Sequence, residues 1–217
     1  MSDEMIDLLL KGTVETIIMT FVSGFFSFVI GLPLGVLLYM TRKGHIKENL
    51  VLHEILSAAV NIFRAIPFII LIVWMIPFTR VLVGTSIGVS AALVPLSLGA
   101  APFVARMIEN SLLEVPGGLI EASRAMGATP LQIVTKVLLP EALPSIINCA
   151  SITLIMLVGY SAMGGAVGAG GLGQTGYQYG YVGYDLKIMN MVLILLVILV
   201  FIIQYAGNYI SKKVDHK

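Results

Sequence analysis

The sequence predicts an all-α integral membrane protein in which five transmembrane helices form one domain over residues 1–217. Of the 217 residues, 58% are hydrophobic and only 12% are charged, and the mean hydropathy is +0.97. Soluble domains carry about a quarter charged residues, so this composition is typical of a chain surrounded by lipid. Two further observations support the prediction: uncharged runs of about 20 residues, long enough to cross a bilayer, and an uneven distribution of basic residues.

Each predicted span corresponds to a run with almost no charge. The expected boundaries are about residues 16–41, 57–79, 81–103, 151–171 and 188–210. The second run contains one charge, Arg64, and the uncharged run 142–184 is too long for a single helix. Its second half, 164–183, is dense in Gly and Tyr, so we expect an irregular segment outside the membrane there. Five spans place the two termini on opposite sides.

The basic residues orient the chain by the positive-inside rule. With the C-terminus inside, nine Lys and Arg residues fall in cytoplasmic segments, three fall outside, and Arg64 lies within a span. The nine are Arg42, Lys43, Lys47, Arg106, Arg124, Lys136, Lys212, Lys213 and Lys217. We therefore expect an N-out, C-in topology, with the longest cytoplasmic loop over about residues 106–150.

This long loop has a helical pattern of its own. Residues 119–126 predict a short helix that ends at Gly127, because glycine adopts the left-handed conformation after a helix without steric cost. Thr129 is a good N-cap for a second helix. Pro130 is suited to its first turn, and Gln132 is placed to complete a capping box. The pattern therefore predicts two helices joined by a sharp turn.

The second helix of the loop is expected to stop at Pro140. Its apolar residues recur at helical spacing and are expected to form one face. They are Leu131, Val134, Val137 and Leu138. A rigid helical hairpin of this kind suits docking into a groove on another protein.

The same loop contains Glu121-Ala122-Ser123, three residues, Gly127, nine residues and Val137-Leu138-Leu139-Pro140. This order resembles the EAA motif of ABC importer permeases, from which it differs by Ser for Ala and Val for Ile. In that family the loop is the coupling helix, which sits in a cleft of the cytoplasmic ATPase subunit. The resemblance implies that seven residues couple this chain to an ATPase. They are Glu121, Ala122, Ser123, Ala125, Gly127, Leu139 and Pro140. The alternative is an amphipathic helix at the membrane surface that matches the spacing by accident.

The resemblance extends over the whole chain, including residues 61–67, 99–103 and 161–165. These segments are similar to those of D/L-methionine importer permeases, and they imply the MetI-like fold. The resemblance implies a multi-pass protein of the bacterial inner membrane that moves methionine by alternating access. It also implies partners: a second permease subunit in a homodimer, two cytoplasmic ATPase subunits, a periplasmic substrate-binding lipoprotein and membrane lipid. Neither composition nor spacing by itself indicates methionine.

The glycine-rich stretch from Gly159 to Gly173 admits two interpretations. Gly164 and Gly168 form a small-xxx-small pair that favours close helix packing. Alternatively, the stretch is a broken helix that lines the transport pathway, where irregular backbone is tolerated. Met163 would then be the bulky side chain that closes a narrow pore. Tyr160 and Ser161 are further candidates for this gate.

Polar residues in and between the spans suggest three more roles. Arg64 is either a functional charge within the membrane or a long side chain that reaches the interface. Asn61, one turn earlier, is a candidate for a hydrogen bond between helices. The Tyr-rich segment 174–187 is a candidate contact for the binding protein, or an interfacial aromatic belt.

Several classes of function find no support in the sequence. It contains no phosphate-binding loop, no paired catalytic carboxylates and no His residues at metal-ligand spacing, so we expect a non-catalytic subunit without metal or cofactor. Basic residues lie at membrane edges, which gives no reason to expect nucleic-acid binding. The remaining alternative is an ion-coupled amino-acid carrier or a passive channel. Proton-coupled carriers place carboxylates within their spans. Here the spans contain no carboxylate except Glu15, which lies at the outer edge of the first span.

Overall fold

The computed structural model describes residues 3–214, which are helical along almost their entire length. Of the basic residues counted for the topology, Lys217 lies outside this range. The helices of the first half are α1 (Asp3–Thr41), α2 (Leu50–Ala65), α3 (Phe68–Trp74), α4 (Ile76–Val83) and α5 (Val89–Leu113). The second half contains α6 (Gly117–Ala125), α7 (Pro130–Ile133), the π-helical segment π1 (Val134–Leu138), α8 (Leu139–Glu141), α9 (Leu143–Gly165), α10 (Gly171–Thr175), the π-helical segment π2 (Gly176–Val182) and α11 (Leu186–Val214).

Within residues 3–214, four helices, α1, α5, α9 and α11, are long and apolar enough to cross a membrane, and α2 and α3 together have the length and composition for a fifth, bent span. That span, predicted over residues 57–79, is not one straight helix. Its two helices meet at an angle of 98°. Ile66, which precedes Pro67, has extended backbone, because the proline ring disfavours helical conformation in the residue before it. The bend at Pro67 divides the span.

The centre of the bundle is the long contact between α1 and α5, which small residues bring close together. A Cβ at Gly35 would lie 2.5 Å from the carbonyl oxygen of Ala105. One turn earlier, a Cβ at Gly31 would lie 2.8 Å from the carbonyl of Ala101. Ser27 on α1 also donates a hydrogen bond to the carbonyl of Ser97 on α5, at 3.0 Å. The two helices are therefore packed backbone against backbone, as small residues allow in membrane proteins.

Residues 171–182 of the Gly- and Tyr-rich segment after α9 are helical, so the irregular structure expected over residues 164–183 was wrong there, although residues 166–170 form a turn. Positive φ angles at Gly168, Gly170 and Gly171 turn the chain back, and α10 then packs against α9. This contact needs glycine on both sides, since a Cβ at Gly165 would collide with the backbone of Gly173 and Gln174. Gly168 therefore belongs to the turn and not to a helical small-xxx-small pair.

The start of α10 is held by polar groups of α1. The Glu15 carboxylate accepts a hydrogen bond from the backbone N–H of Gly171 at 2.7 Å, and Thr16 Oγ1 accepts from that of Leu172 at 2.9 Å. These N–H groups have no partner within their own helix. Glu15, which the sequence placed at the edge of the first span, thus ties α1 to the returning segment.

Candidate functional site

The hairpin formed by α6, α7, π1 and α8 has the turn that the sequence predicted. Gly127 adopts a φ of +80°, and its neighbour Ala128 donates its N–H to the carbonyl of Ser123 at 3.0 Å. The capping box is also present: Thr129 Oγ1 accepts from the N–H of Gln132, whose side chain accepts from the N–H of Thr129 at 2.8 Å. Local sequence therefore specifies the turn and the start of the second helix.

The second helix of the hairpin does not stop at Pro140, contrary to the expectation. It widens into π1, in which the N–H of Leu139 bonds to the carbonyl of Val134, and continues as α8. Pro140 lies in the first turn of α8, where a missing N–H leaves no hydrogen bond unmade. After Ala142, α9 begins at once. A nearly continuous path thus connects the hairpin to the helix that carries the gate candidates.

The buried face of the hairpin contains Ile133 in place of the predicted Leu131. Ile133, Val134 and Leu138 are buried in a cluster with Leu112 of α5, and Val137 is half-buried. Leu131 was expected on this face, but its side chain is 72% exposed. It lies in the first turn of α7 and points away from the bundle, since Ile133 takes the inner position.

The seven coupling candidates divide between two faces of the hairpin. The exposed ones are Glu121, Ala122, Ala125, Gly127 and Pro140. Leu139 is half-buried, and Ser123 is buried, with its hydroxyl donating to the carbonyl of Leu119 at 2.7 Å. We use the term coupling surface for the exposed residues of the hairpin tip and the turn after it: Glu121, Ala122, Ala125, Met126, Gly127 and Leu131. Met126 and Leu131 were missed by the motif, although bulky apolar residues beside a turn are a signal of docking.

A buried ionic cluster, which the sequence did not reveal, joins three helices next to the hairpin. Glu109 of α5 is 1% exposed and pairs with Arg106 at 2.6 Å and with Arg42, after α1, at 3.7 Å. Arg106 also donates to Ser57 Oγ at 2.8 Å and to Asn61 Oδ1 at 3.0 Å on α2. The expected interhelical hydrogen bond of Asn61 is thereby confirmed.

Replacing Glu109 with alanine should destabilise the protein by about 3 kcal/mol, because breaking a buried ion pair leaves a charge without its partner. The measurement is the melting temperature of the purified protein in detergent. Glu141→Ala, which removes an exposed carboxylate of α8, serves as the control and should leave that temperature unchanged. Equal melting temperatures for the two variants would show that the cluster contributes no stability.

The short loop 42–49 packs on α1 through an imidazole. His45 stacks on Tyr39 with ring centroids 4.5 Å apart. Burial lowers the pKa of His45 below its usual value, and the nearby cations Arg42 and Arg124 lower it further. The ring is therefore neutral at neutral pH, which avoids repulsion from Arg124 on α6.

The three gate candidates on α9 have different surroundings. Met163 is 50% exposed and lies one turn after Gly159. A Cβ added at Gly159 would meet nothing within 4 Å. Tyr160 is half-buried and stacks on Phe68 of α3 with ring centroids 4.2 Å apart. Ser161 is buried and donates to the carbonyl of Val158 at 2.8 Å. Only Met163 points to an open face of the helix; Ser161 points into the protein.

The far end of the bundle presents the tyrosines that follow α10. Tyr177 and Tyr181 stack on each other in π2, with ring centroids 5.7 Å apart. Tyr179 and Tyr184 are also exposed. In the part of the chain that the structure describes, no three His, Cys, Asp or Glu side chains are grouped closely enough to hold a metal ion.

Known proteins resemble this chain along its length. Residues 29–216 match the family described as the binding-protein-dependent transport system inner membrane component. The chain is 73% identical over 165 residues, 76% of either chain, to the D-methionine transport system permease protein MetI of Salmonella typhimurium. It is 54% identical over 211 residues, 97% of this chain and 94% of the other, to the probable D-methionine transport system permease protein MetI of Vibrio cholerae.

The fold has a counterpart among solved structures. A chain of the MetNI methionine ABC transporter, in a study of its inward-facing conformations, superposes with a TM-score of 0.98 at 71% sequence identity, covering 100% of both chains. This agreement includes the broken span and the hairpin, because no part of either chain is left out. The chain therefore belongs to the family of binding-protein-dependent transport system inner membrane components.

Proposed function

We propose that this chain is the permease subunit of an ATP-driven importer that moves methionine across the inner membrane by alternating access. The observation that carries the proposal is the full-length match, in fold and in sequence, to a chain of a methionine ABC transporter. The MetI relatives support the same substrate. ATP hydrolysis then belongs to a partner subunit, since this sequence contains no phosphate-binding loop.

The assembly we propose is a homodimer with an N-out, C-in topology in each subunit. Five spans are too few to enclose a pathway alone, and α9 presents an open face at Gly159 and Met163 that a second subunit would complete. Two ATPase subunits dock on the cytoplasmic side, and a substrate-binding lipoprotein docks outside. The exposed tyrosines of residues 174–187 are suited to contact that lipoprotein, because tyrosine combines a large apolar ring with a polar tip.

The coupling surface is the proposed contact with the ATPase. Ala122 and Ala125 allow close approach, Gly127 supplies the turn, and Met126 and Leu131 offer apolar side chains that are 81% and 72% exposed. Ser123 is buried beneath this surface, where its hydroxyl donates to the carbonyl of Leu119. Since π1 and α8 lead from the hairpin into α9, a displacement of the hairpin is transmitted directly to Met163.

Uptake by the reconstituted importer tests this proposal. Proteoliposomes that contain the permease, its ATPase subunits and the loaded binding protein should accumulate radiolabelled methionine only when ATP is supplied, with other amino acids added as competitors. An ion-coupled carrier or a channel would instead take up methionine without ATP, along an ion gradient or the gradient of methionine itself. That result would overturn the proposal.

Met163→Ala should produce a leak if this side chain closes the pathway. Removing most of the side chain shortens a bulky group on the open face near Gly159, so methionine should pass severalfold faster than through wild type in the absence of ATP. The measurement is methionine efflux from preloaded proteoliposomes. Leu193→Ala, at an exposed position of α11, is the control. Equal rates of methionine efflux from both variants would show that the Met163 side chain does not close the pathway.

A further inference from the structure

A small cavity lies at the break between α2 and α3, where the fifth span bends. Its volume is about 130 Å³, and residues of α2, α3, α5 and α9 line it together with Ile66 of the break. The lining residues used below are Phe63, Arg64, Phe68, Gly99, Phe103 and Tyr160. For comparison, an apolar protein cavity of about 150 Å³ holds one benzene molecule. The space is therefore the size of one amino-acid side chain.

Arg64 supplies a charge to this cavity that the protein itself does not neutralise. Among residues 3–214, three ion pairs are formed, and they use Lys11, Arg42 and Arg106. Arg64 takes part in none of them. The guanidinium group is a planar donor that matches the geometry of a carboxylate. Within a membrane-spanning region, such an unpaired charge is a marker of a substrate pathway.

Arg64 also lies in the last turn of α2, beside backbone acceptors. The final carbonyl groups of a helix have no partner within the helix, and Pro67 at the break has no N–H to offer them. Broken membrane helices use such carbonyl groups to bind cations. The break thus places backbone acceptors beside the guanidinium of Arg64, which suits the ammonium group and the carboxylate of an α-amino acid.

The inner wall of the cavity is aromatic. Phe68 and Tyr160 stack nearly parallel, at an interplanar angle of 5°, and Phe103 lies on the same cavity. Gly99 also lines the cavity, and a Cβ there would crowd two other lining residues, at 3.0 Å from Leu71 Cδ2 and 3.4 Å from Phe68 Cδ2. Thioether sulfur makes favourable contacts with aromatic rings, so the wall suits the side chain of methionine.

We propose that this cavity is an amino-acid subsite within the membrane, in which Arg64 binds the α-carboxylate and the Phe68–Tyr160 pair contacts the side chain of the transported methionine. The proposal rests on the proposed function, because it assigns a place to that substrate. Tyr160 lies one turn before Met163 on α9, so the subsite is next to the candidate gate. Of the two interpretations of Arg64 left open by the sequence, this proposal favours a functional charge over a long side chain that only reaches the membrane interface.

The test compares Arg64→Gln with Arg80→Gln in the reconstituted complex of permease, ATPase subunits and binding protein. Arg80 is a matched control, since it is also an exposed arginine in the last turn of a helix, α4. Initial rates of uptake are measured with a mixture of radiolabelled amino acids that includes methionine, alongside ATP hydrolysis. Arg64→Gln should lower uptake at least about tenfold, the loss expected for one charge-assisted hydrogen bond. Arg80→Gln should transport as wild type does, and ATP hydrolysis should persist in both.

Gly99→Val is the second variant, which narrows the cavity and leaves Arg64 in place. It should also lower uptake, and it keeps the subsite testable if Arg64→Gln fails to assemble. Normal uptake by Arg64→Gln, or by Gly99→Val when Arg64→Gln does not assemble, would overturn the subsite. If wild type takes up another amino acid and not methionine, only the proposed substrate is rejected. The ratio of the uptake rates of Arg64→Gln and wild type for that amino acid still decides the role of Arg64. Absence of any amino-acid uptake by wild type would reject both proposals.

Discussion

Glu121→Lys is expected to reduce ATP-driven methionine uptake to background while the protein still inserts into the membrane. The side chain of Glu121 is exposed on the coupling surface, and in residues 3–214 it forms no ion pair. Its carboxylate is therefore available to a basic residue or a helix N-terminus of the ATPase. Reversing the charge replaces this attraction with repulsion, and like charges across an interface cost several kcal/mol. Uptake and co-purification of the ATPase subunit in mild detergent are the two measurements.

Glu54→Lys provides the control for this charge reversal. Glu54 is an exposed carboxylate of α2, which is not part of the hairpin, so its reversal should leave both co-purification and uptake intact. Normal uptake by Glu121→Lys would count against the coupling role of this residue. Co-purification of the ATPase with both variants, at unchanged yield, would place the contact elsewhere on the chain.

Gly165→Ala is expected to destabilise the protein by about 3 kcal/mol or more, at or above the usual upper range for overpacking. The reason is that the added Cβ would meet the backbone of Gly173 and Gln174 on the returning segment. Backbone atoms cannot move aside as the end of a flexible side chain can, so α10 would have to separate from α9. The measurements are the melting temperature and the fraction of protein that elutes as a single species in gel filtration.

Gly159→Ala on the same helix is the matched control. A Cβ at Gly159 meets nothing within 4 Å, and alanine favours an α-helix over glycine by about 1 kcal/mol. This variant should therefore melt at the wild-type temperature or slightly above it. If the two alanine variants have the same melting temperature, close packing between α9 and α10 does not contribute to stability, and the glycines at this crossing have another purpose.

The contrast between these two glycines shows why the glycine-rich stretch could not be assigned from sequence. Close packing and an open, pathway-facing surface both require small residues, and both occur here within seven positions. Gly165 packs against another segment, whereas Gly159 and Met163 lie on the open face. Which glycine serves which purpose depends on the position of α10. That position depends in turn on the hydrogen bonds that its N–H groups donate to Glu15 and Thr16, which are distant in sequence.

The hairpin was predicted correctly only where its structure depends on residues close together in sequence. The turn at Gly127 and the capping box of Thr129 and Gln132 involve residues at most five positions apart, so sequence alone predicts them. Pro140 was interpreted as a stop because proline breaks a regular α-helix. A π-helical turn avoids the conflict, and nothing in the neighbouring residues indicates that the chain will use one.

By itself, the sequence determined that the chain is helical, that it crosses a membrane with about five apolar segments, and that its longest loop carries a capped helical hairpin. These properties follow from hydropathy and from contacts between near neighbours. Only the tertiary structure decided that the fifth span is broken beside Arg64, that the segment after α9 returns as a helix, and that Glu109 is buried between Arg42 and Arg106. Those features depend on side chains brought together from distant positions, and periodicity along one helix does not encode which distant helix will lie against it.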